Sequence, residues 1–299
     1  MKTKRVVLSL ITDDNDYQRE QAAAAEEVAK RLDISLQIIY AQSDAVTQSQ
    51  QLLRIIQSAQ READAIVAEP AGGTPLPQVA KAAAAAGIAW VLLNRDADYI
   101  EPLRAAYKVP VFAVTADHEE IGRIQARQFA ALLPRGGTVL YIQGPSTSVA
   151  AKGRSVGVQE AVGANIHLRQ LRSATWTEAH GYAAVDSWLR LSTSRREQID
   201  VVGAQNDYIA MGARKAFKEL SSEADWERWA TVPFTGVDGL VSTGQAWVSR
   251  GLLAATVVVP PNTTSAIEML SDALDSGRQQ PPVTLVRPAS YPDLKSLTR

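Results

Sequence analysis

Cysteine is absent from the 299 residues, so the chain forms no disulfide and carries neither a thiolate nucleophile nor a sulfur ligand for zinc. Histidine is scarce: His118, His167 and His180 are all there is, and their spacing fits no metal-ligand pattern. Neither sign of charge is in excess, with 31 Lys and Arg against 32 Asp and Glu and a formal net charge of -1. Binding to nucleic acid needs a basic face, and that balance argues against one. Long apolar runs are missing too, and none approaches the roughly 18 residues of a membrane span. The apolar run from Val6 to Thr12, behind Lys2, Lys4 and Arg5, stops at Asp13-Asp14 without a small-residue cleavage site. It is too short for a signal peptide and is expected to be the first strand.

What is present is a globular composition, 46% apolar and 21% charged, at a length that suits two domains better than one core. Strand and helix patterns alternate throughout. Strands are expected at Val6–Ile11, Ile34–Tyr40, Ala65–Ala68, Ala89–Leu93, Val111–Val114, Val139–Ile142, Ile166–Leu171, Val201–Gly203, Val232–Thr235, Ala254–Val259 and Val283–Val286. Helical patterns fill the intervals, among them Arg19–Leu32, Val46–Arg61, His118–Leu132, Ser148–Val162, Tyr208–Leu220 and Leu240–Val248. This is the βαβ rhythm of a doubly wound α/β fold, run twice. Short joins at 115–117, 259–261 and 279–282 predict two lobes linked by a three-segment hinge and closing over a cleft. The expected division is 1–116 with 260–281, and 117–259 with 282–299.

Open α/β sheets bind ligands beyond the carboxyl ends of their strands, so the residues at those ends carry the functional argument. The apolar run Ala89-Trp90-Val91-Leu92-Leu93 breaks abruptly into Asn94-Arg95-Asp96. Arg95 offers a rigid fork of donors suited to paired oxygens, although a surface salt bridge would use the same residues. Asp13-Asp14-Asn15-Asp16-Tyr17-Gln18 sets an aromatic among amides and carboxylates, as a sugar site requires. The same residues suit the acidic first turn of a helix, with Asp16 as cap. Gln143-Gly144-Pro145-Ser146-Thr147-Ser148 has the glycine and hydroxyls of a phosphate loop but lacks the Walker pattern. Lys152 and Arg154 further on suit solvated helix charges, Arg154 in particular. Asn206-Asp207 opens a helix after another strand, and Asp238 is either a turn residue or an acceptor for two hydroxyls. Trp176 is either a stacking face or core. Trp226 and Trp229 are expected to pack under a helix end, the alternative being an exposed docking face.

Taken in order, Asp13 to Gln18, Leu93 to Asp96, Thr115-Ala116-Asp117 with Gly122, Gln143-Gly144 through Lys152-Gly153-Arg154, Ala204 to Gly212, Gly236 to Gly239 and Leu253 to Val257 resemble the type I periplasmic binding proteins of the ribose-binding kind. These are related to the effector domains of lactose-repressor-type regulators, and the resemblance runs nearly end to end. It implies an α/β fold of two doubly wound parallel-sheet lobes and a non-catalytic site for a sugar or polyol. The implied site comprises Asp14, Asn15, Tyr17, Asn94, Arg95, Lys152, Trp176, Asn206 and Asp238. Asn15 would hydrogen-bond the sugar, Tyr17 and Trp176 would stack on it, and Arg95 would clamp two hydroxyls. Lys152 falls where the family usually has an arginine, and Asn206 and Asp238 would bind from the second lobe. Asn94 replaces the family's usual aspartate, Gln18 a second aromatic, and Val259 a polar hinge residue.

The resemblance further implies a membrane permease or sensor as partner, a monomer without cofactor or metal, and a place in the periplasm or cell envelope. With Met1 as the native start and no export signal, the expectation becomes cytoplasmic. Two other functions fit fewer features. A regulator's effector module would need a DNA-binding headpiece before the first strand, which begins almost at Met1, and no basic recognition helix is visible. A magnesium-dependent phosphoryl-transfer enzyme would use Asp13, Asp14 and Asp16.

Overall fold

Short apolar runs bounded by turn residues become strands buried on both faces, and the alanine-rich and amphipathic runs between them become the helices that cover those faces. The computed structural model describes residues 3–297 apart from 192–193, 195–196 and 221–222, with the backbone alone for 223–226. In chain order the elements are β1 (Lys4–Leu10), α1 (Asp16–Arg31), β2 (Ile34–Tyr40), α2 (Ala45–Gln57), β3 (Ala65–Ala68), α3 (Pro77–Ala85), β4 (Ala89–Leu93), α4 (Ile100–Ala106) and β5 (Val111–Ala116). There follow α5 (His118–Leu132), β6 (Gly137–Gln143), α6 (Val149–Ala161), β7 (Ile166–Arg172), α7 (Glu178–Leu189), β8 (Val201–Ala204), α8 (Asp207–Leu220), α9 (Glu223–Ala230) and β9 (Phe234–Asp238). The last are α10 (Ala246–Ser249), β10 (Ala255–Val258), α11 (Asn262–Ser276), β11 (Val283–Val286) and β12 (Ala289–Tyr291).

The chain divides into two compact units, residues 1–116 with 260–286 and residues 117–259 with 287–299. In the first unit the sheet order is β2-β1-β3-β4-β5-β11, parallel throughout. The sequence assigned 282–299 to the second unit, and here the structure differs. Strand β11 pairs with β5, Val283 opposite Ala113 through Val286 opposite Ala116. Its ladder completes the open edge of β5 and buries Val286 in the first unit's core. In the second unit the order is β7-β6-β8-β9-β10-β12. All its pairs are parallel except the edge strand β12, which runs antiparallel to β10 and was not foreseen.

In both sheets the order in which strands are added reverses, at β1 and β3 and at β6 and β8. Such a switch point opens a crevice beyond the carboxyl ends. Alternation along each strand divides the core between two faces. In β4, Val91 and Leu93 pack with α1 and α11, while Trp90 and Leu92 pack with α2, α3 and α4. In β6, Leu140 and Ile142 face the α7–α8 side with Trp188 and Phe217, and Val139 and Tyr141 face Phe129 and Val158. Helices α5 and α6 touch almost backbone to backbone. A Cβ added to Gly157 would lie 1.9 Å from the carbonyl oxygen of Glu119.

Local boundaries shift for identifiable reasons. Helix α1 begins at Asp16, three residues before the expected Arg19, because Asn15 caps it. Strand β9 spans Phe234–Asp238 instead of Val232–Thr235, since Pro233 has no N–H to give a ladder. The expected helix over Leu240–Val248 divides into a wide π-type turn at Val241–Gln245 and the short α10. Trp229 is core, packed on Trp188 and Phe217, whereas the side chain of Trp226 lies outside the described residues.

Candidate functional site

Each unit gathers polar side chains beyond the carboxyl ends of its own sheet. In the first unit, the turn after β1 exposes Asp13, Asp14 and Asn15. Asn15, not Asp16, is the cap of α1. Its Oδ1 accepts the Gln18 N–H at 3.0 Å and its Nδ2 donates to Asp14 Oδ1 at 3.2 Å. Asn15 has extended backbone angles and a side-chain oxygen that reaches the third residue on, which is what a cap requires. Asp16, inside the first turn, pairs with Arg19 and complements the helix dipole. Tyr17 is half-buried beside it. Among the described residues, no group of three acidic or histidine side chains is arranged to hold a metal ion.

At the end of β4, Asn94 adopts the left-handed conformation, φ +60°, which asparagine tolerates better than most residues. Its N–H still closes the sheet by donating to Val114 O at 2.8 Å. Its Nδ2 donates at 3.0 Å to Oε1 of Glu69, a residue only 4% exposed at the end of β3. The other carboxyl oxygen of Glu69 accepts Gln18 Nε2 at 2.8 Å. Burial pushes the Glu69 carboxyl above the usual carboxylate range, and the two amides oppose that rise. Arg95 donates from Nη1 to Gly73 O at 2.6 Å, while its buried Nε has no hydrogen-bond partner among the described residues. Asp96 accepts the Ala97 N–H at 2.6 Å and serves the turn.

In the second unit the cation brought to the rim is Arg154, which corrects the expectation that Arg154 is a solvated helix charge. Lys152 is exposed, and Arg154 is 5% exposed. Helix geometry explains the difference. Ala151, Arg154 and Val158 share one face of α6, which is buried, and Lys152 lies about 160° from Arg154 around the helix axis. Arg154 Nη1 donates to the carbonyl of Gln205, and Nη2 stands 3.6 Å from Asp238 Oδ1. Its guanidinium lies 5.4 Å from the centre of the Trp176 ring, and its buried Nε has no hydrogen-bond partner among the described residues. Trp176 is half-buried over Gly144, where any Cβ would come within 2.2 Å of the indole.

Asn206 is 4% exposed and holds local structure with one bond from each end of its amide: Nδ2 donates to Trp176 O at 2.9 Å and Oδ1 accepts the Ile209 N–H at 2.8 Å. It therefore fixes the Trp176 loop while starting α8. Asp238 ends β9 with φ +98°, a strained conformation for a residue other than glycine. Burial pushes its carboxyl up to about 6, against the pull of Arg154. Beneath it, burial first and the Asp238 charge second raise the Asp207 carboxyl well above the usual range. Asp207 accepts Thr256 Oγ1 at 2.7 Å and the Gly239 N–H at 2.8 Å. Gln205, fully buried, accepts the Gly144 N–H at 2.8 Å and donates to Tyr141 Oη at 3.0 Å.

Of the expected residues, the first unit thus links Asp14 to Asn15 directly, and Asn94 to the start of α1 through Glu69 and Gln18. The second unit clusters Trp176, Asn206 and Asp238 around Arg154. Glu69 was not anticipated, and Gln205 and Asp207 stood in the sequence only as polar residues opening a helix after a strand. The helical period Ala151–Arg154–Val158 was the signal that could have identified Arg154.

Two doubly wound units with polar rims define the fold of the type I periplasmic binding proteins. The chain belongs to the periplasmic binding protein domain family, which matches residues 6–279. A provisionally named rhizopine-binding protein of Rhizobium meliloti is 29% identical over 67% of this chain; that match spans 63% of the relative, less than two thirds of its length. The D-apiose import binding protein of Paraburkholderia graminis is 24% identical over 91% of this chain and 82% of its own. Among solved structures, a periplasmic solute-binding protein of an ABC transporter from Actinobacillus succinogenes, with bound D-allose, superposes at a TM-score of 0.82, with 22% identity and 99% of each chain covered. No helix among the described residues is long and apolar enough to cross a membrane.

Proposed function

We propose that this chain binds a sugar or sugar-like polyol without transforming it, as the substrate-binding component of an ABC importer in the periplasm. The observation that carries the proposal is Arg154 beside both Asp238 and the Trp176 ring. A donor fork, an acceptor pair and an apolar ring face together match a pyranose or furanose, which offers hydroxyls at its edge and C–H groups on its face. The names of the D-apiose, xylitol and ribose relatives support the same ligand class.

In this proposal, Asp14, Asn15, Tyr17, Asn94 and Arg95 of the first unit and Arg154, Trp176, Asn206 and Asp238 of the second are the ligand-binding residues. A ligand favours the state in which it makes its contacts, and that state would be the signal read by a permease. Charge-assisted hydrogen bonds contribute roughly 1.5–3 kcal/mol each, so a few of them, less ordering costs, support a dissociation constant near about 1 μM.

A thermal-shift screen with D-ribose, D-allose, xylitol, myo-inositol and their phosphates tests the proposal. Stabilisation by a neutral sugar or polyol is expected. A response confined to phosphorylated compounds, or none at all, would overturn it.

A further inference from the structure

Glu69 is not among the residues given a ligand above, yet it is the only carboxyl among the described residues recorded between the carboxamides of Gln18 and Asn94. No cation pairs with it among the described residues. We propose that Glu69 is a positioning residue that fixes which end of the Asn94 carboxamide is an acceptor, and thereby which ligand hydroxyls the β4 rim accepts. This rests on the sugar-binding proposal above.

The argument is one of donor and acceptor counting. An ionised carboxylate only accepts. Gln18 and Asn94 must therefore both turn their NH2 groups toward Glu69, as they do at 2.8 and 3.0 Å. That orientation leaves Gln18 Oε1 to accept the Ile11 N–H at 3.0 Å, and Asn94 Oδ1 to accept Asn262 Nδ2 at 3.4 Å. A glutamine at position 69 has one accepting and one donating end, so it cannot accept from both neighbours. One of them must turn over.

Asn94 is the one with less to lose. Gln18 is tied to a main-chain N–H at a normal hydrogen-bond distance, whereas the Asn94–Asn262 contact is long. A turned Asn94 would present its NH2 toward Asn262, which turns with it to offer its Oδ1, now buried and without a hydrogen-bond partner among the described residues. The change from Glu69 to Gln thus converts an acceptor at the end of β4 into a donor while leaving the packing volume nearly unchanged. The neighbouring loop stays held independently, because Gln48 bonds both Glu69 O at 2.8 Å and the Ala71 N–H at 2.8 Å.

The test compares wild type, Glu69→Gln, Asn94→Ser and the double variant. One readout is the side-chain amide NMR signals without ligand, the Asn94 pair being assigned by its loss in Asn94→Ser. The other is titration with D-ribose, D-allose, xylitol and myo-inositol. In Glu69→Gln the Asn94 signals are expected to move while the Gln18 signals hold. Relative affinities within the panel are expected to change by roughly tenfold, the size of one exchanged hydrogen bond. In the Asn94→Ser background, Glu69→Gln is expected to have no further effect on the ranking. Unmoved Asn94 signals with an unchanged ranking would overturn the proposal. If Glu69→Gln does not fold, Asn94→Ser decides alone: an unaltered ranking there contradicts the role given to Asn94. If the wild type binds none of the panel, the sugar proposal fails by itself, and the amide signals still decide whether Glu69 orients Asn94.

Discussion

Arg154 Nη2 and Asp238 Oδ1 stand 3.6 Å apart inside the second unit, with side-chain exposures of only 7% and 15%. A second carboxyl, Asp207, lies within electrostatic reach of both. One guanidinium therefore offsets two acids at the rim. Removing one partner of a buried pair leaves the other charge uncompensated and costs about 3 kcal/mol or more. Arg154→Met is expected to lower the unfolding free energy measured in urea by that much, with a lower midpoint, and to abolish any sugar response. Lys152→Met, on the exposed face of the same helix, is expected to change the midpoint little, and the two midpoints measured side by side check the assignment.

The acids also set a pH dependence. The Asp238 carboxyl sits at about 6 in the folded chain, above its ordinary 3.8, and Asp207 and Glu69 are raised in the same direction. Between those limits the folded state binds more protons than the unfolded state, so this contribution to stability falls as pH rises. It is fully present below about pH 4, near the usual carboxylate value. Urea midpoints for wild type and Asp238→Asn across this window are expected to converge toward low pH, with the wild type losing ground as pH rises. The opposite slope would contradict the burial argument.

Close helix packing gives a prediction about how Arg154 is held. A Cβ at Gly157 would lie 1.9 Å from Glu119 O, a backbone atom that cannot yield without moving α5. Gly157→Ala is expected to cost about 2 kcal/mol by overpacking. Because α6 carries Arg154, the same variant is expected to weaken sugar binding although residue 157 touches no ligand. Thermal melts with and without sugar separate the two effects.

In the first unit, Tyr99 Oη accepts Trp90 Nε1 at 3.1 Å and donates to Pro75 O at 2.6 Å. Trp90 is fully buried, so Tyr99→Phe strands an indole N–H with no route to water. A loss of about 1–2 kcal/mol in the unfolding free energy measured in urea is expected.

The strands were legible because doubly buried strands are short continuous apolar runs, and Ala89–Leu93 is one. The division near 282 was not legible: Val283–Val286 looks the same whichever sheet edge receives it, and only pairing with β5 decides. At the rim, sequence order identified Asn94, Arg95, Trp176, Asn206 and Asp238 as strand-end residues. It misjudged Arg154 because the phase of α6 is set by its Ser148 cap, whose hydroxyl accepts the Ala151 N–H. Glu69 was passed over because a single acid before Pro70 reads as turn chemistry. Its role depends on Gln18 and Asn94, which lie far from it in the chain and meet it only once β1, β3 and β4 pair.

Isothermal titration of the stabilising sugar into wild type, Arg95→Ala and Trp176→Ala, with the sugar recovered and weighed afterwards, tests the central proposal most directly. One-to-one binding near micromolar strength is expected, weakened at least tenfold by each substitution, with the sugar returned intact. Undiminished affinity in either variant, or a sugar chemically altered by the protein, would contradict it.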